Sequence, residues 1–233
     1  MAASKPRILV VLTSADKVPK NGKPIGWYLP ELAHPFHVLR GKADLTFASP
    51  KGGEAPLDQA SVDMSRDDPV CKDFLENHSS NWKQTQKLSD LADRASDFDA
   101  VFYPGGHGPM FDLVSDPDSL RILRDLHSQN KVISAVCHGP AALVNAKTAY
   151  GEYIIKGRGV TGFDDAGEEM FGYTNDMDFS LERRLNENSG GKYSKSADGP
   201  LGEKVIVDGK LITGQNPASA YGVGHELAKA LGI

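Results

Sequence analysis

The sequence predicts an α/β domain in which a mostly parallel sheet is covered by helices on both faces. Apolar segments of strand length recur along the 233 residues and alternate with helical patterns, which is the arrangement that produces parallel strands. The first segment, residues 7–13, contains an unbroken apolar run and predicts a central strand that is buried on both faces. The dipeptide Asp208-Gly209 lies between two short apolar runs and adds an antiparallel hairpin.

The remaining elements follow from apolar periodicity and from residues typical of helix starts. Further strands are predicted at residues 43–49, 99–103, 132–136, 158–161, 204–207 and 211–213. In the helix predicted at 27–40, one face carries Leu32, Phe36 and Leu39, and Pro30 fits the first turn. The other helices are predicted at 118–129, where Pro117 and Asp118 open the helix, at 139–145 and at 217–231.

Two polar segments interrupt this pattern. Residues 52–97 are rich in Asp, Ser and Lys and carry no clear core strand, so they predict a surface insertion with short helices. This insertion could form a lid over the functional site, or it could be a solvent-exposed segment without a function; the sequence favours neither. Residues 186–202 predict a loop, and the length of the chain fits a single domain spanning 1–233.

Composition narrows the classes of partner and compartment. The net charge is −5 and no run of Lys and Arg is dense, so we predict no nucleic-acid partner. The two cysteines, Cys71 and Cys137, are expected to be free thiols in a reducing compartment. Neither a signal-peptide core nor an apolar run of membrane-spanning length occurs. We therefore expect a cytoplasmic protein, with a nuclear location also open, and no membrane partner.

The strongest chemical signal is a cysteine at the junction of a strand and a helix. The stretch 132–140 reads Val-Ile-Ser-Ala-Val-Cys-His-Gly-Pro, in which a buried strand runs directly into Cys137. Such a turn is typical of a nucleophile elbow, and Gly139 permits the close backbone approach that it needs. We expect the dipole of the following helix to lower the pKa of the thiol. An isolated cysteine would more often be a buried packing residue, but the adjoining His-Gly-Pro favours a nucleophile.

Two further motifs are expected at the same edge of the sheet. Residues 103–108 read Tyr-Pro-Gly-Gly-His-Gly and follow a predicted strand, so their backbone amides could stabilise an oxyanion. Glu31 begins the helix after the first strand and could act as a general acid or base beside the sulfur. Because ligands bind at the carboxyl ends of parallel strands, we expect these groups to converge on Cys137.

Taken together, these motifs resemble the ThiJ/PfpI superfamily. The resemblance rests on the elbow at 135–140, the loop at 104–108, Glu31 within 30–36, and the closing Thr-Gly-Gln-Asn-Pro-Ala-Ser at 213–219. The stretch 161–168, Thr-Gly-Phe-Asp-Asp-Ala-Gly-Glu, is similar to the one that supplies the acidic member of a Cys-His-Glu triad in one branch. That branch contains small stress-induced chaperones and glutathione-independent glyoxalases.

The resemblance implies a flavodoxin-like sandwich and the conversion of methylglyoxal, a 2-oxoaldehyde, to lactate without glutathione, cofactor or metal. Cys137 is then the nucleophile, His138 transfers protons, Glu168 orients His138, and Glu31 lies beside the sulfur. The loop residues Gly105, Gly106 and His107, with the amide of His138, are the implied substrate-binding or oxyanion groups. A homodimer is implied by analogy alone. A holdase chaperone that binds misfolded proteins, and a deglycase or peptidase using the same triad, remain alternatives.

Several weaker features have ordinary structural explanations. Glu31, His34 and His37 are spaced three apart and could be metal ligands with His107 or His138, but Pro35 is expected to disturb the helix between the histidines, and we predict no metal site. Cys71 is expected to take no part in catalysis. Trp27, Tyr28 and Phe36 fit a pocket wall and core packing equally well, and Asn216 is expected to cap the last helix.

Overall fold

Seven strands form one sheet in the computed structural model, which describes residues 4–233. In chain order they are β1 Arg7–Val11, β2 Asp44–Ser49, β3 Gln86–Lys87, β4 Ala100–Tyr103, β5 Val132–Val136, β6 Val205–Asp208 and β7 Leu211–Gly214. Their order across the sheet is β3-β2-β1-β4-β5-β7-β6, and every neighbouring pair is parallel except β6 and β7. The predicted parallel α/β sheet and its antiparallel hairpin are therefore confirmed.

Nine α-helices surround the sheet in the part of the chain that the structure describes. They are α1 Leu29–Leu39, α2 Gln59–Met64, α3 Pro69–Asn77, α4 Ser80–Lys83, α5 Pro117–Ser128, α6 Ala141–Val144, α7 Asp165–Phe171, α8 Leu181–Ser189 and α9 Ala220–Ala230. Every residue of β4 and β5 is buried, and since successive strand residues point to opposite faces, both faces of the sheet are covered. Within residues 4–233, no helix combines the length and the apolar character needed to cross a membrane.

One predicted strand is wrong. Residues 158–161 do not form a strand, because only Val160 makes a backbone bridge, with Tyr193, while side chains accept from the amides on either side of it. The amide of Gly159 donates to Asp208 Oδ2 at 2.7 Å, and the amide of Thr161 donates to Thr213 Oγ1 at 3.0 Å. The segment is thus held to the hairpin without continuing the ladder.

The helix α8 was not predicted, and its last residues fall in the segment expected to be a loop. Ser180 caps it by accepting a hydrogen bond from the amide of Arg183, and Leu181 and Leu185 are buried. Gly190 ends it in the left-handed conformation. The short helix α7 was also missed; Asp164 caps its first turn. Asp and Ser are common helix caps, but α7 and α8 contain too few apolar residues for helical periodicity to be recognised in the sequence.

The segment 52–97 is more than a polar excursion. It contains α2, α3, α4 and the edge strand β3, so the expectation of short helices is met. It also buries Phe74 and Trp82, whose rings lie 6.2 and 5.6 Å from that of Trp27. These aromatic contacts anchor the segment on the core beside the amino-terminal end of α1.

Candidate active site

Cys137 lies directly after β5 in a left-handed backbone conformation with φ of 60°. A residue with a side chain reaches this conformation only when its surroundings hold it there, at a cost of about 1–3 kcal/mol. Two long-range hydrogen bonds hold it here: the amide of Cys137 donates to the carbonyl of Gly214 at 2.9 Å, and its carbonyl accepts from the amide of Phe163 at 2.8 Å. The predicted nucleophile elbow is confirmed.

The elbow does not activate the thiol in the way that the sequence predicts. The helix that follows, α6, has four residues instead of the seven expected, so its dipole is weak. Burial, followed by the charge of Glu31, raises the pKa of the Cys137 thiol well above its usual value, and the hydrogen bond from the amide of His138 lowers it by less. The expectation of a thiol pKa lowered by a helix dipole is therefore wrong.

His138 lies between the sulfur and a carboxylate. Its Nδ1 is 3.4 Å from Cys137 Sγ, and its Nε2 makes a short hydrogen bond with Glu168 Oε1. Burial alone would raise the pKa of Glu168, but the charge of His138, its hydrogen bond and the nearby ring of His107 outweigh burial and hold that pKa well below its usual range. Cysteine, histidine and an ionised carboxylate thus form a continuous chain in the order implied by the resemblance.

Glu31 reaches the same sulfur from the start of α1. It is fully buried, and its Oε2 accepts a hydrogen bond of 2.9 Å from the amide of Gly105. Burial raises the pKa of Glu31 to about 8, against the opposing effect of hydrogen bonds with Cys137 and with the amides of Gly105 and Gly106. A carboxylate beside a thiolate would repel it, so the thiolate is favoured while Glu31 carries a proton.

The glycine loop at residues 104–108 donates backbone hydrogen bonds to Glu31. The sequence assigns Gly105 and Gly106 as oxyanion donors, yet both amides are directed at the carboxyl of Glu31. A side chain at Gly105 would bring its Cβ within 2.5 Å of Glu31 Oε2 and 2.7 Å of the His138 nitrogen. Glycine at this position therefore lets the loop, the acid and the elbow approach one another.

His107 belongs to a stack of rings behind the triad. Its ring lies 3.8 Å from that of Tyr173 and 4.3 Å from that of His138, and its Nε2 is 3.6 Å from Glu168 Oε1. On the other side of Tyr173, Lys23 Nζ lies 3.1 Å from the ring centroid. Burial first, and then the charge of His138, lower the pKa of His107 to about 4, so this histidine is neutral at physiological pH. Neither Tyr173 nor Lys23 carries a local sequence signal for this position.

A cavity of about 80 Å³ opens above the sulfur. Since about 10–15 Å³ of such space holds one water, the cavity suits a molecule of a few non-hydrogen atoms. Besides the groups described above, its lining comprises Tyr28, Asp58, Ala60, Met64, Phe163, Phe171 and Pro217. The wall is mostly apolar, and Asp58, Ala60 and Met64 come from the segment 52–97.

Among residues 4–233, two groups of side chains have the composition of a metal site. His107, His138 and Glu168 form one, and His34, Asp68 and Cys71 form the other; in each, the ligand atoms lie within 4.8 Å of one another. The spacing of Glu31, His34 and His37 could suggest metal ligands, although no metal site was predicted there. These residues do not come together, because Glu31 faces Cys137 while His34 Nε2 lies 2.6 Å from Asp68 Oδ2. Pro35 does not break α1, contrary to the expectation.

The remaining expectations divide between core and cavity. Tyr28 lines the cavity, whereas Trp27 and Phe36 are buried in the core. Asn216 caps a short 3₁₀ turn before α9 by accepting from the amide of Ser219, as predicted. Phe163, Phe171 and Met64 were not identified from the sequence, because only the folded chain brings them to the cavity.

The sequence profile of the DJ-1/PfpI family matches residues 29–230. The chain belongs to the DJ-1/PfpI family. It is 32% identical to Glyoxalase 3 of Candida albicans over 96% of this chain and 98% of that protein. It is 31% identical to the glutathione-independent glyoxalase HSP31 of Saccharomyces cerevisiae over 92% of this chain and 93% of that protein.

A solved structure of a similar protein has the same fold. The crystal structure of glyoxalase III from Candida albicans matches with a TM-score of 0.85 and 31% sequence identity, and the match covers 97% of each chain. The flavodoxin-like architecture implied by the sequence resemblance is therefore confirmed.

Proposed function

We propose that this chain is a glutathione-independent glyoxalase that converts methylglyoxal to lactate through a covalent adduct on Cys137 and so protects against reactive carbonyls. The observation that carries the proposal is the position of the sulfur. Cys137 lies between His138 Nδ1, at 3.4 Å, and the buried carboxyl of Glu31, at the base of a cavity of about 80 Å³. The names of the two curated relatives described above support this assignment.

The first step is addition of the thiol to the aldehyde. Cys137 gives its proton to His138 Nδ1 as the sulfur forms a bond to C1 of methylglyoxal and the carbonyl π electrons move onto the aldehyde oxygen. His138 then returns the proton to that oxygen, which becomes a hydroxyl. Glu168 holds the charge that His138 acquires, in the manner of other nucleophile-base-carboxylate triads. The amide of His138, which already acts on the sulfur, is the donor that we propose for the developing oxyanion.

The second step moves a proton from C1 to C2. A base removes the C1 proton to give an enediol, and the acid form returns a proton to C2, so that C2 becomes an alcohol and C1 becomes a thioester carbonyl. Glu31 suits this exchange, because a pKa of about 8 lets it both hold and release a proton near neutral pH. His138 shares the exchange. Water then hydrolyses the thioester, which releases lactate and restores the thiol.

Every catalytic group in the reaction steps proposed above is a side chain or backbone amide of this protein. We therefore propose a lyase of the glyoxalase III type that needs neither cofactor nor metal. Both cysteines are free, which fits a cytoplasmic setting. A homodimer, expected by analogy, stays a prediction. So does the role of 52–97 as a lid, although Asp58, Ala60 and Met64 of this segment line the cavity.

Lactate formation by the purified protein tests the proposal. Methylglyoxal is supplied without glutathione and with a chelator, and wild type is compared with Cys137→Ala and with Cys71→Ala as the matched control. We expect lactate from wild type and from the control and none from Cys137→Ala. Equal turnover by Cys137→Ala would exclude the thiol mechanism, and no lactate from a folded wild type would exclude methylglyoxal as the substrate.

A holdase chaperone is the second candidate, since apolar side chains are exposed at the mouth of the cavity. Met64 and Phe171, which line the cavity, have 66% and 38% of their surface exposed, and Met170, next to Phe171 in α7, has 57%. We expect catalytically inactive Cys137→Ala to delay aggregation of a heat-denatured client, and replacement of Met64 and Phe171 by Ser to weaken that effect. Absence of any delay at equimolar Cys137→Ala would remove this candidate.

Peptidase and deglycase activities fit the cavity less well. An extended peptide needs a groove, whereas the space above Cys137 holds only a few atoms. Removal of free methylglyoxal also reverses early adducts by mass action, so deglycation is measured with an excess of a small-molecule aldehyde scavenger. A true deglycase would accelerate adduct loss beyond the rate that the scavenger alone produces.

A further inference from the structure

The second cysteine lies in a polar cluster outside the Cys137 site. His34 of α1 has its Nε2 2.6 Å from Oδ2 of Asp68, which caps α3, and 4.0 Å from Sγ of Cys71 in α3. The three ligand atoms lie within 4.8 Å of one another. We propose that His34, Asp68 and Cys71 bind a divalent transition-metal ion such as Zn²⁺, with one ligand from each side chain. This proposal is independent of the proposed glyoxalase activity.

The geometry needs little change to accept the ion. Zinc binds sulfur at about 2.3 Å and nitrogen or oxygen at about 2.0–2.2 Å, so tetrahedral ligand atoms lie roughly 3.3–3.8 Å apart. The sulfur–nitrogen distance of 4.0 Å would shorten and the nitrogen–oxygen distance of 2.6 Å would lengthen, each by less than about 1 Å. A water completes the fourth position, as in other zinc sites with three protein ligands.

Neighbouring groups already orient two of the ligands. Asp68 Oδ1 accepts hydrogen bonds from the amides of Val70, at 2.8 Å, and Cys71, at 3.3 Å, which leaves Oδ2 directed at His34. The ring of Tyr221 in α9 stacks on the His34 ring with centroids 4.1 Å apart and an angle of 12° between the planes. Partners that fix a ligand in this way are typical of metal sites and strengthen binding.

The same surroundings make a second nucleophile a poor explanation of the cluster. Only 1% of Cys71 is exposed, so its sulfur is out of reach of a dissolved electrophile. A metal ion held by His34 and Asp68 reaches the sulfur directly, and a coordinating thiol loses its proton to solvent when the metal–sulfur bond forms. The side chains of His34 and Asp68 are 13% and 27% exposed and provide the path by which an ion enters.

A bound ion would add a link between α1 and α3, which already meet through side-chain packing and the hydrogen bond between His34 and Asp68. His34 lies three residues after Glu31 in α1, and α3 belongs to the segment 52–97 that lines the cavity. Metal binding would therefore fix this segment on α1. The expected consequence is a higher temperature of thermal unfolding in the presence of Zn²⁺.

Cobalt spectroscopy tests the site directly. The chain has two cysteines, so in a Cys137→Ala protein any thiolate–Co²⁺ charge-transfer band must come from Cys71. The full-length Cys137→Ala protein, stripped of metal with a chelator, is titrated with Co²⁺ alone and then with Zn²⁺ as competitor. We expect a saturable near-ultraviolet band at one equivalent of Co²⁺, which Zn²⁺ abolishes. Absence of the band in the folded protein would overturn the proposal.

Three further changes on this background identify the ligands. Asp68→Asn keeps a good helix cap, His34→Asn preserves a polar side chain, and Cys71→Ser removes the soft ligand. We expect Cys71→Ser to lose the band and the other two to weaken Co²⁺ binding at least tenfold, with folding checked by circular dichroism. His107→Asn, in the other polar cluster, is the matched control and should bind as the background does. If His34→Asn and Asp68→Asn bind Co²⁺ as tightly as the Cys137→Ala background, the proposal is overturned, even if Cys71→Ser does not fold.

Discussion

Cys137 Sγ lies 3.4 Å from Nδ1 of His138, its immediate neighbour in the chain. Consecutive side chains of a strand point to opposite faces of the sheet, so these two can meet only where the backbone leaves strand geometry. The φ of 60° at Cys137 provides that departure. The strained turn is therefore a requirement of the cysteine–histidine pair, and the same turn brings the sulfur to the carboxyl of Glu31.

The first prediction concerns Glu31 as a proton donor and acceptor. Gln at position 31 keeps the shape of the side chain and an acceptor for the Gly105 amide, but it cannot release a proton. We expect kcat for methylglyoxal to fall by about 10²–10⁴-fold, the usual contribution of general acid–base catalysis. Glu76→Gln, at an exposed position of α3, is the matched control and should retain wild-type kcat. A loss smaller than tenfold would exclude Glu31 from the proton transfer.

The second prediction is a dependence of stability on pH that originates at Glu31. In the unfolded chain this carboxyl titrates near 4.5, and in the folded protein near 8. Between these values the folded state binds more protons, so the contribution of Glu31 to the free energy of unfolding falls as the pH rises. Urea unfolding of wild type and Glu31→Gln at several pH values from about 5 to about 8.5 should show the variant gaining relative stability. A constant difference would contradict the raised pKa.

The third prediction tests the close packing at Gly105. An added methyl group would press on Glu31 Oε2 and on the backbone of His138. We expect Gly105→Ala to lower the free energy of unfolding by about 1–3 kcal/mol and to reduce turnover by displacing the acid. In the control Gly159→Ala, the nearest atom is Ile206 Cγ2 at 3.2 Å, on a side chain remote from the cavity. Full activity of Gly105→Ala would show that the Glu31–Gly105 contact is not needed for catalysis.

The fourth prediction concerns Tyr173, which stacks on His107 with ring centroids 3.8 Å apart. An aromatic pair contributes about 0.5–1.5 kcal/mol beyond burial, so we expect Tyr173→Ala to lower kcat/KM by up to about tenfold. Tyr173→Phe keeps the ring and should remain near wild type. Equal losses in the two variants would assign the effect to the hydroxyl rather than to the stack.

The main features of the site could be predicted from the sequence because each lies within a few consecutive residues. The elbow at Cys137, the glycine loop and Glu31 each follow a predicted parallel strand, and parallel strands bring their carboxyl ends to one edge. Glu168 was identified only through the family resemblance of residues 161–168. The helix that carries it, α7, has too few apolar residues to be predicted from periodicity alone.

Tertiary structure decided the protonation of the site residues and the partners of their hydrogen bonds. The thiol of Cys137 was expected to have a lowered pKa, yet burial and the nearby Glu31 raise it. The amide of Gly105 was expected to face an oxyanion, yet it holds Glu31. A pKa and a hydrogen-bond partner depend on burial and on atoms brought from distant parts of the chain, and local pattern contains neither. The sequence by itself thus determined which chemical groups meet at the sheet edge, and only the folded chain determined which of them holds the proton.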